Sequence, residues 1–130
     1  WKGAKMNIII SNSSEKPIYE QIISQIKDHI IKGVLKEADA LPSIRSLAKE
    51  LKISVITTKR AYDELQKEGF ITVVPGKGTY VAAQNKDLLR ESRLRIVEEK
   101  LLEAVNAAKS IDLSFDELLE MLKLFYEEDY

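Results

Sequence analysis

Hydrophobic residues along this chain fall into periodic blocks separated by glycine, proline and serine. Ile18, Ile22, Ile26 and Ile30, with Tyr19 and Ile23 beside them, recur at helical spacing up to Gly33. Pro17 suits the first turn of that helix, where a missing N–H costs nothing. The short apolar run Asn7–Ile10 before it reads as an edge strand or a lead-in arm. Leu47, Ala48 and Leu51 put an apolar stripe on a second, shorter helix that Ser43 can cap. Lys52, Ile53 and Ser54 form a tight break. Ser54 is another candidate N-cap, opening a helix whose inward residues are Ala61, Tyr62 and Leu65. Gly69 ends that helix where a left-handed residue is expected. Two helices joined this closely form a helix-turn-helix, with small Ala48 at their crossing and the isoleucine-rich helix as the third member of a trihelical core. Ile71–Val74 and Thr79–Ala82, around Pro75-Gly76-Lys77-Gly78, make a hairpin that serves as a wing. The expected fold is mainly α with a small β-hairpin wing.

The pattern then changes. Asn85 to Ala108 reads as a long helix in which Leu94, Val97, Leu101, Ala104 and Ala108 step by three and four, with Leu102 and Val105 widening the stripe. Ser110–Leu113 breaks it, and Ser114 with Glu117 matches a capping box that opens a last helix through about Tyr126. Phe115, Leu118, Leu119, Met121, Leu122, Leu124 and Phe125 make that helix apolar nearly all round, so it needs cover on more than one side. A second copy of the same helical pair, in a two-fold dimer, supplies it, through Leu94, Val97, Leu101, Val105, Phe115, Leu118, Leu119, Leu122 and Phe125. The other arrangement folds both helices back on the winged domain of their own chain. Two domains are therefore expected: a winged helix-turn-helix over 6–83 and a C-terminal two-helix dimerisation region over 84–130.

Composition changes this picture in three places. The chain has no cysteine, which removes disulfides and thiolate metal sites. Its one histidine, His29, falls among Lys27, Asp28 and Lys32 on a solvated helix face, and no grouping of nucleophile, base and acid or of metal ligands appears. An enzyme, a metal and a cofactor are thus not expected. The net charge of −1 hides an asymmetry, since residues 1–83 hold thirteen Lys/Arg against nine Asp/Glu and residues 84–130 hold seven against twelve. A basic half that meets phosphates and an acidic half turned away from them fits that split. No apolar run has membrane-spanning length and no signal peptide is evident, so cytoplasm and no membrane partner are expected. Trp1–Lys5 precede the first methionine and stand outside the fold argument.

A helix-turn-helix places the start of its second helix in the major groove, which nominates Ser54, Val55, Ile56, Thr57 and Lys59 for base edges or flanking phosphates. Ser43 and Arg45, at the start of the preceding helix, are further candidates for DNA; Arg45 can reach the backbone or a guanine edge with its planar fork, or else pair with Glu50 or Glu68. Arg60 either contacts DNA or braces the domain. At the wing, Gly76 and Gly78 allow close approach to a sugar-phosphate edge and Lys77 supplies charge. A phosphate loop for nucleotides is the poorer reading of Gly-Lys-Gly-Thr, because no helix follows and the spacing is absent.

Three pieces in order, LPSIRSLA at Leu41–Ala48, the IS…T..RAYDEL..EG run at Ile53–Gly69 and GKGTYV at Gly76–Val81, resemble the DNA-binding domain of the GntR family of bacterial regulators. With PIYEQI at Pro17–Ile22 and the short tail, the chain resembles the small YtrA-type branch from about Met6 onward. The resemblance implies DNA contacts at Arg45, Ser54, Thr57, Lys59, Gly76, Lys77 and Gly78. It further implies a homodimeric repressor on a double-stranded, palindromic operator, with a transporter operon as its target. The chain departs from the family where Val55 replaces a frequent arginine, where Lys52 replaces a common glycine, and near Asp39, where the glycine usual shortly before Leu41 is missing. Val55 and Ile56 have no hydrogen-bond donor, and either suits a thymine methyl. The stretch after Val81 is too short for the separate ligand-binding domain of larger relatives, and no effector is indicated. A winged helix used only for protein interaction is the alternative.

Overall fold

The structure is a computed structural model and describes residues 6–128. Trp1–Lys5, set aside above, lie outside the described residues. The elements run α1 (Ile18–Ile31), β1 (Ala40–Leu41), α2 (Ile44–Leu51), α3 (Val55–Lys67), β2 (Ile71–Val74), β3 (Gly78–Val81), α4 (Lys86–Ser110) and α5 (Phe115–Glu127). They form two compact units, one ending at Arg90 and one beginning at Glu91.

In the first unit the predicted stripes close a single core. Ile22, Ile26, Leu47, Ala61, Tyr62 and Leu65 are all at most 2% exposed, and Met6, Ile8, Leu35, Leu41, Ile71 and Val81 join them. Burying such aliphatic side chains is worth about 1.5–3 kcal/mol each, which is what holds three short helices together. Pro17 stands one place before the helix, its carbonyl accepting the Gln21 N–H at 3.1 Å. His29 is half-buried, and its Nδ1 lies 2.6 Å from the Gln25 carbonyl, so the ring donates there.

Asn7–Ile10 is an arm and not a strand. Met6 and Ile8 point into the core while Asn7 and Ile9 face out. Side-chain amides of α1 take the place of a neighbouring strand. Gln25 accepts from the Ile9 N–H and donates to the Ile9 carbonyl, both at 2.8 Å, and Gln21 does the same for Ser11 at 2.8 and 3.0 Å. Gln21 is buried and its remaining proton goes to the Lys16 carbonyl, so the cost of burying an amide is met in full.

The wing is a three-stranded antiparallel sheet in the order β1-β3-β2, one strand more than the hairpin expected from sequence. Ala40, where the sequence predicts no element, and Leu41, which opens the LPSIRSLA stretch, pair with Tyr80 and Thr79. Two further bonds extend the ladder, from the Ala38 N–H to the Val81 carbonyl and from the Val81 N–H to the Asp39 carbonyl, both 2.9 Å. The last strand begins one residue earlier than expected, at Gly78, which pairs with Val74. Ala38, shortly before Leu41 and beside Asp39, takes a left-handed conformation (φ 70°) that glycine adopts more readily.

α4 begins at the end of the first unit, one residue after the expected Asn85, whose carboxamide accepts the Asp87 and Leu88 N–H groups. In the second unit it runs through Ser110, past the expected end at Ala108. The chain turns at left-handed Asp112, and Ser114 caps α5 by accepting the Glu117 N–H at 3.1 Å, as the capping box requires. Residues of both helices and of the turn line an apolar groove of about 540 Å³ that includes Leu101, Val105, Phe115, Leu118, Leu122 and Phe125. No residue of α5 is buried.

Candidate nucleic-acid interface

Two serine caps set the geometry of the interface. Ser43 Oγ accepts the Ser46 N–H at 3.1 Å and donates to Ser46 Oγ at 2.9 Å, which starts α2 and places Arg45 in its first turn. The Arg45 side chain is exposed and has no ion pair among the described residues. Glu68, one of the two partners considered for it, instead pairs with Lys27 at 2.9 Å, and that ammonium also lies 5.1 Å from the Phe70 ring centre. An exposed guanidinium with no internal partner keeps all its donors for an external anion or base edge.

The turn between α2 and α3 closes on Lys52 in the left-handed region (φ 58°, ψ 47°), where its N–H and that of Ile53 reach back to the Ala48 carbonyl. A side chain there costs about 1 kcal/mol relative to glycine. Ser54 then caps α3. Its Oγ accepts the Thr57 N–H at 3.0 Å and donates to Thr57 Oγ1 at 2.7 Å, while Thr58 Oγ1 donates to the Ser54 carbonyl at 3.1 Å. Thr57 is left with its own hydroxyl proton to offer. Val55 and Ile56 stand out in solvent, Ile56 at 81% exposure. Lys59 Nζ sits 2.6 Å from Asp63 in an exposed i,i+4 pair, worth about 0.3–0.5 kcal/mol and readily exchanged for a phosphate. Arg60 lies with its guanidinium 3.8 Å from the Tyr19 ring centre, which ties α3 to α1.

The charge around these caps favours anions. Neither α2 nor α3 has an acidic residue in its first turn, whereas α1, α4 and α5 each do. Beyond the one N–H that each serine cap accepts, the positive dipole end of both helices meets no acidic side chain in its own first turn, the arrangement that attracts phosphate.

At the wing, the Lys77 N–H bonds to the Val74 carbonyl at 2.9 Å, with Pro75 and left-handed Gly76 (φ 75°) between them, the residues a type II turn calls for. Gly78 is also at positive φ, 135°, a conformation that a side chain would strain. Tyr80, not singled out from sequence, holds the tip. Its hydroxyl donates to the Lys77 carbonyl at 3.1 Å and its ring lies under Gly78. The signal that could have found it is its place in β3, two residues after Gly78. Lys77 itself is exposed. Ser43, Arg45, Ser54, Val55, Ile56, Thr57 and Lys59 thus lie at the starts of α2 and α3, and Gly76, Lys77 and Gly78 at the wing tip.

Comparison with known proteins matches the gntR family of bacterial regulatory proteins over residues 18–81. The HTH-type transcriptional repressor YtrA of Bacillus subtilis (strain 168) is 37% identical over 116 residues, covering 89% of either chain. A solved structure of YtrA from Sulfolobus acidocaldarius, described as a GntR-family transcription factor, is 36% identical with a TM-score of 0.55 over 92% of this chain and 96% of that one. The DNA-binding domain of AraR, solved in complex with operator ORE1, is 25% identical with a TM-score of 0.50, covering 59% of this chain and 94% of that domain. With the serine-capped helix pair, the glycine-turned wing and these relatives together, the chain belongs to the GntR family and is a DNA-binding transcription regulator, of a class that performs no catalysis.

Proposed function

We propose that the chain acts as a homodimeric repressor on a palindromic operator in the cytoplasm. The observation that carries the dimer is the uncovered apolar surface of the second unit. Phe115 is 75% exposed, Val97 53%, Leu122 47%, Leu101 46% and Leu94 40%. Val105, Leu118 and Leu119 are half-buried around the same groove. Monomeric proteins rarely leave so continuous an apolar face in water, and a second copy of α4–α5 laid across it buries like against like under a two-fold axis. That axis gives two copies of α3, and paired recognition helices demand two inverted half-sites about one helical turn apart. Transcription is blocked by occupancy. The role follows the B. subtilis relative, which is named a repressor. The C-terminal region from about residue 84 is then the assembly domain and residues 6–83 the reading domain. Among the described residues no helix is long and apolar enough to cross a membrane.

Sedimentation of the full chain at micromolar concentration is expected to give a dimer, and Leu122→Glu a helical monomer with strongly weakened operator binding. Footprinting on the promoter of the protein's own gene is expected to protect two inverted half-sites. A monomeric wild-type chain would refute the assembly, and protection without symmetry would refute the palindrome.

A further inference from the structure

We propose that Ile56, supported by Val55, reads the C5 methyl of a thymine in the major groove, so that each half-site carries a thymine beneath the tip of α3. This rests on the DNA-binding reading and specifies what that site recognises. The buried stripe of α3 is Thr58, Ala61, Tyr62 and Leu65. At about 100° per residue, Ile56 stands roughly 170° round the helix from the middle of that stripe, aimed straight off the fold. At 81% it is the most exposed large apolar side chain among the described residues of the unit ending at Arg90. No folding requirement explains it: β-branched residues are poor helix formers, and water is a poor solvent for a butyl group.

The neighbouring polar groups flank these two residues in the chain. Ser54 and Thr57 bond to each other, leaving one hydroxyl proton on Thr57, and Lys59 is held in an exposed pair with Asp63. The tip of α3 therefore presents an aliphatic surface between those groups. In the major groove, adenine, guanine and cytosine edges offer donors and acceptors, which an aliphatic side chain would strip of water and leave unpaired. The thymine methyl is the one apolar feature available to it. Val55 and Ile56 are both β-branched and stiff at χ1, so the methyl-reading surface is pre-shaped and loses little rotamer freedom on contact.

Selection of a randomised duplex library by the full chain supplies the probe, and the most enriched duplex is resynthesised with each thymine replaced in turn by deoxyuridine, which deletes only the methyl. One symmetry-related pair of thymines is expected to respond, with wild-type affinity falling about fourfold for each methyl lost, the worth of one buried methyl group. Ile56→Ala is expected to bind the thymine duplex with a similar loss, to melt no lower than wild type, and to show no thymine-to-uracil difference at that pair. The inference is overturned if no thymine responds, or if the same penalty persists in Ile56→Ala. Undiminished binding of every duplex by Ile56→Ala also overturns it and leaves the patch to a protein partner. Failure to enrich any duplex over random DNA overturns sequence-specific binding itself, an outcome distinct from binding that ignores the methyl.

Discussion

Replacing Tyr62 by phenylalanine removes one oxygen from the centre of the winged unit. That hydroxyl donates a 2.7 Å hydrogen bond to the Pro42 carbonyl, and Tyr62 and Pro42 are both fully buried. Pro42 immediately precedes the Ser43 cap, so this single bond ties α3 to the segment that delivers Arg45. A buried hydrogen bond contributes about 1 kcal/mol net, and a carbonyl left dry adds a penalty of about 1–3 kcal/mol. The greater apolarity of phenylalanine offsets part of this, which sets the expected loss at about 2 kcal/mol. For a unit of this size that lowers the melting temperature by roughly 8–16 °C. The measurement is thermal unfolding by far-ultraviolet circular dichroism at one fixed chain concentration, because association makes the midpoint depend on concentration. A second limb uses pH. Burial pushes the Tyr62 phenol well above the ordinary tyrosine value. In the unfolded chain the proton leaves near pH 10, while the folded chain still holds it. The stability this group contributes is therefore intact below about pH 10 and is lost progressively as pH rises beyond it. Tyr62→Phe should show a shallower alkaline loss than wild type. Equal melting temperatures and parallel alkaline limbs would refute the reasoning, by showing that the Pro42 carbonyl is satisfied without the phenol.

Arg45→Ala is expected to weaken operator binding by about 1–3 kcal/mol with an unchanged melting temperature, since the guanidinium has no ion pair among the described residues to lose; a fall in stability with affinity intact would make Arg45 structural. Lys77→Ala should weaken binding to operator and random duplex alike and lower the salt slope by about one, as loss of a single phosphate contact does. Titrations over a salt series check this, and loss of operator binding alone would show that the wing reads bases. Lys52→Gly should raise stability by about 0.5–1 kcal/mol, because it relieves the left-handed side chain and returns part of that gain as unfolded-state entropy. A higher denaturant midpoint at unchanged m-value is the expected result, and a lower one would mean the lysine is held by something other than its backbone.

What was legible in advance was what neighbouring residues decide among themselves. Isoleucines at helical spacing select one face of α1 whatever lies opposite. Ser43, Ser54 and Ser114 each cap a helix through an N–H only three residues away. Gly69, at φ 83°, ends α3 where its lack of a side chain allows it. The wing turn likewise follows from Pro75 and Gly76 alone. Candidate residues on α2, α3 and the turn could therefore be assigned to their places from these local rules, together with the family resemblance of LPSIRSLA and GKGTYV.

What tertiary structure decided was each interaction whose second partner is remote in the chain. Ala40 and Leu41 have no periodicity of their own and are a strand because Tyr80 and Thr79 lie beside them. Gln21 and Gln25 read as ordinary polar positions of α1 until the arm is laid across them. The sequence alone allows Arg60 either to contact DNA or to brace the domain, and its stacking on Tyr19 depends on how α3 crosses α1. Whether Arg45 pairs with Glu50 or Glu68 is likewise decided in space, where Lys27 of α1 takes Glu68. Periodicity and capping act within one or two turns of a helix, so a sequence states them directly. Strand pairing, ring stacking and the choice of an ion-pair partner act through space, and packing of the core is what brings those partners together.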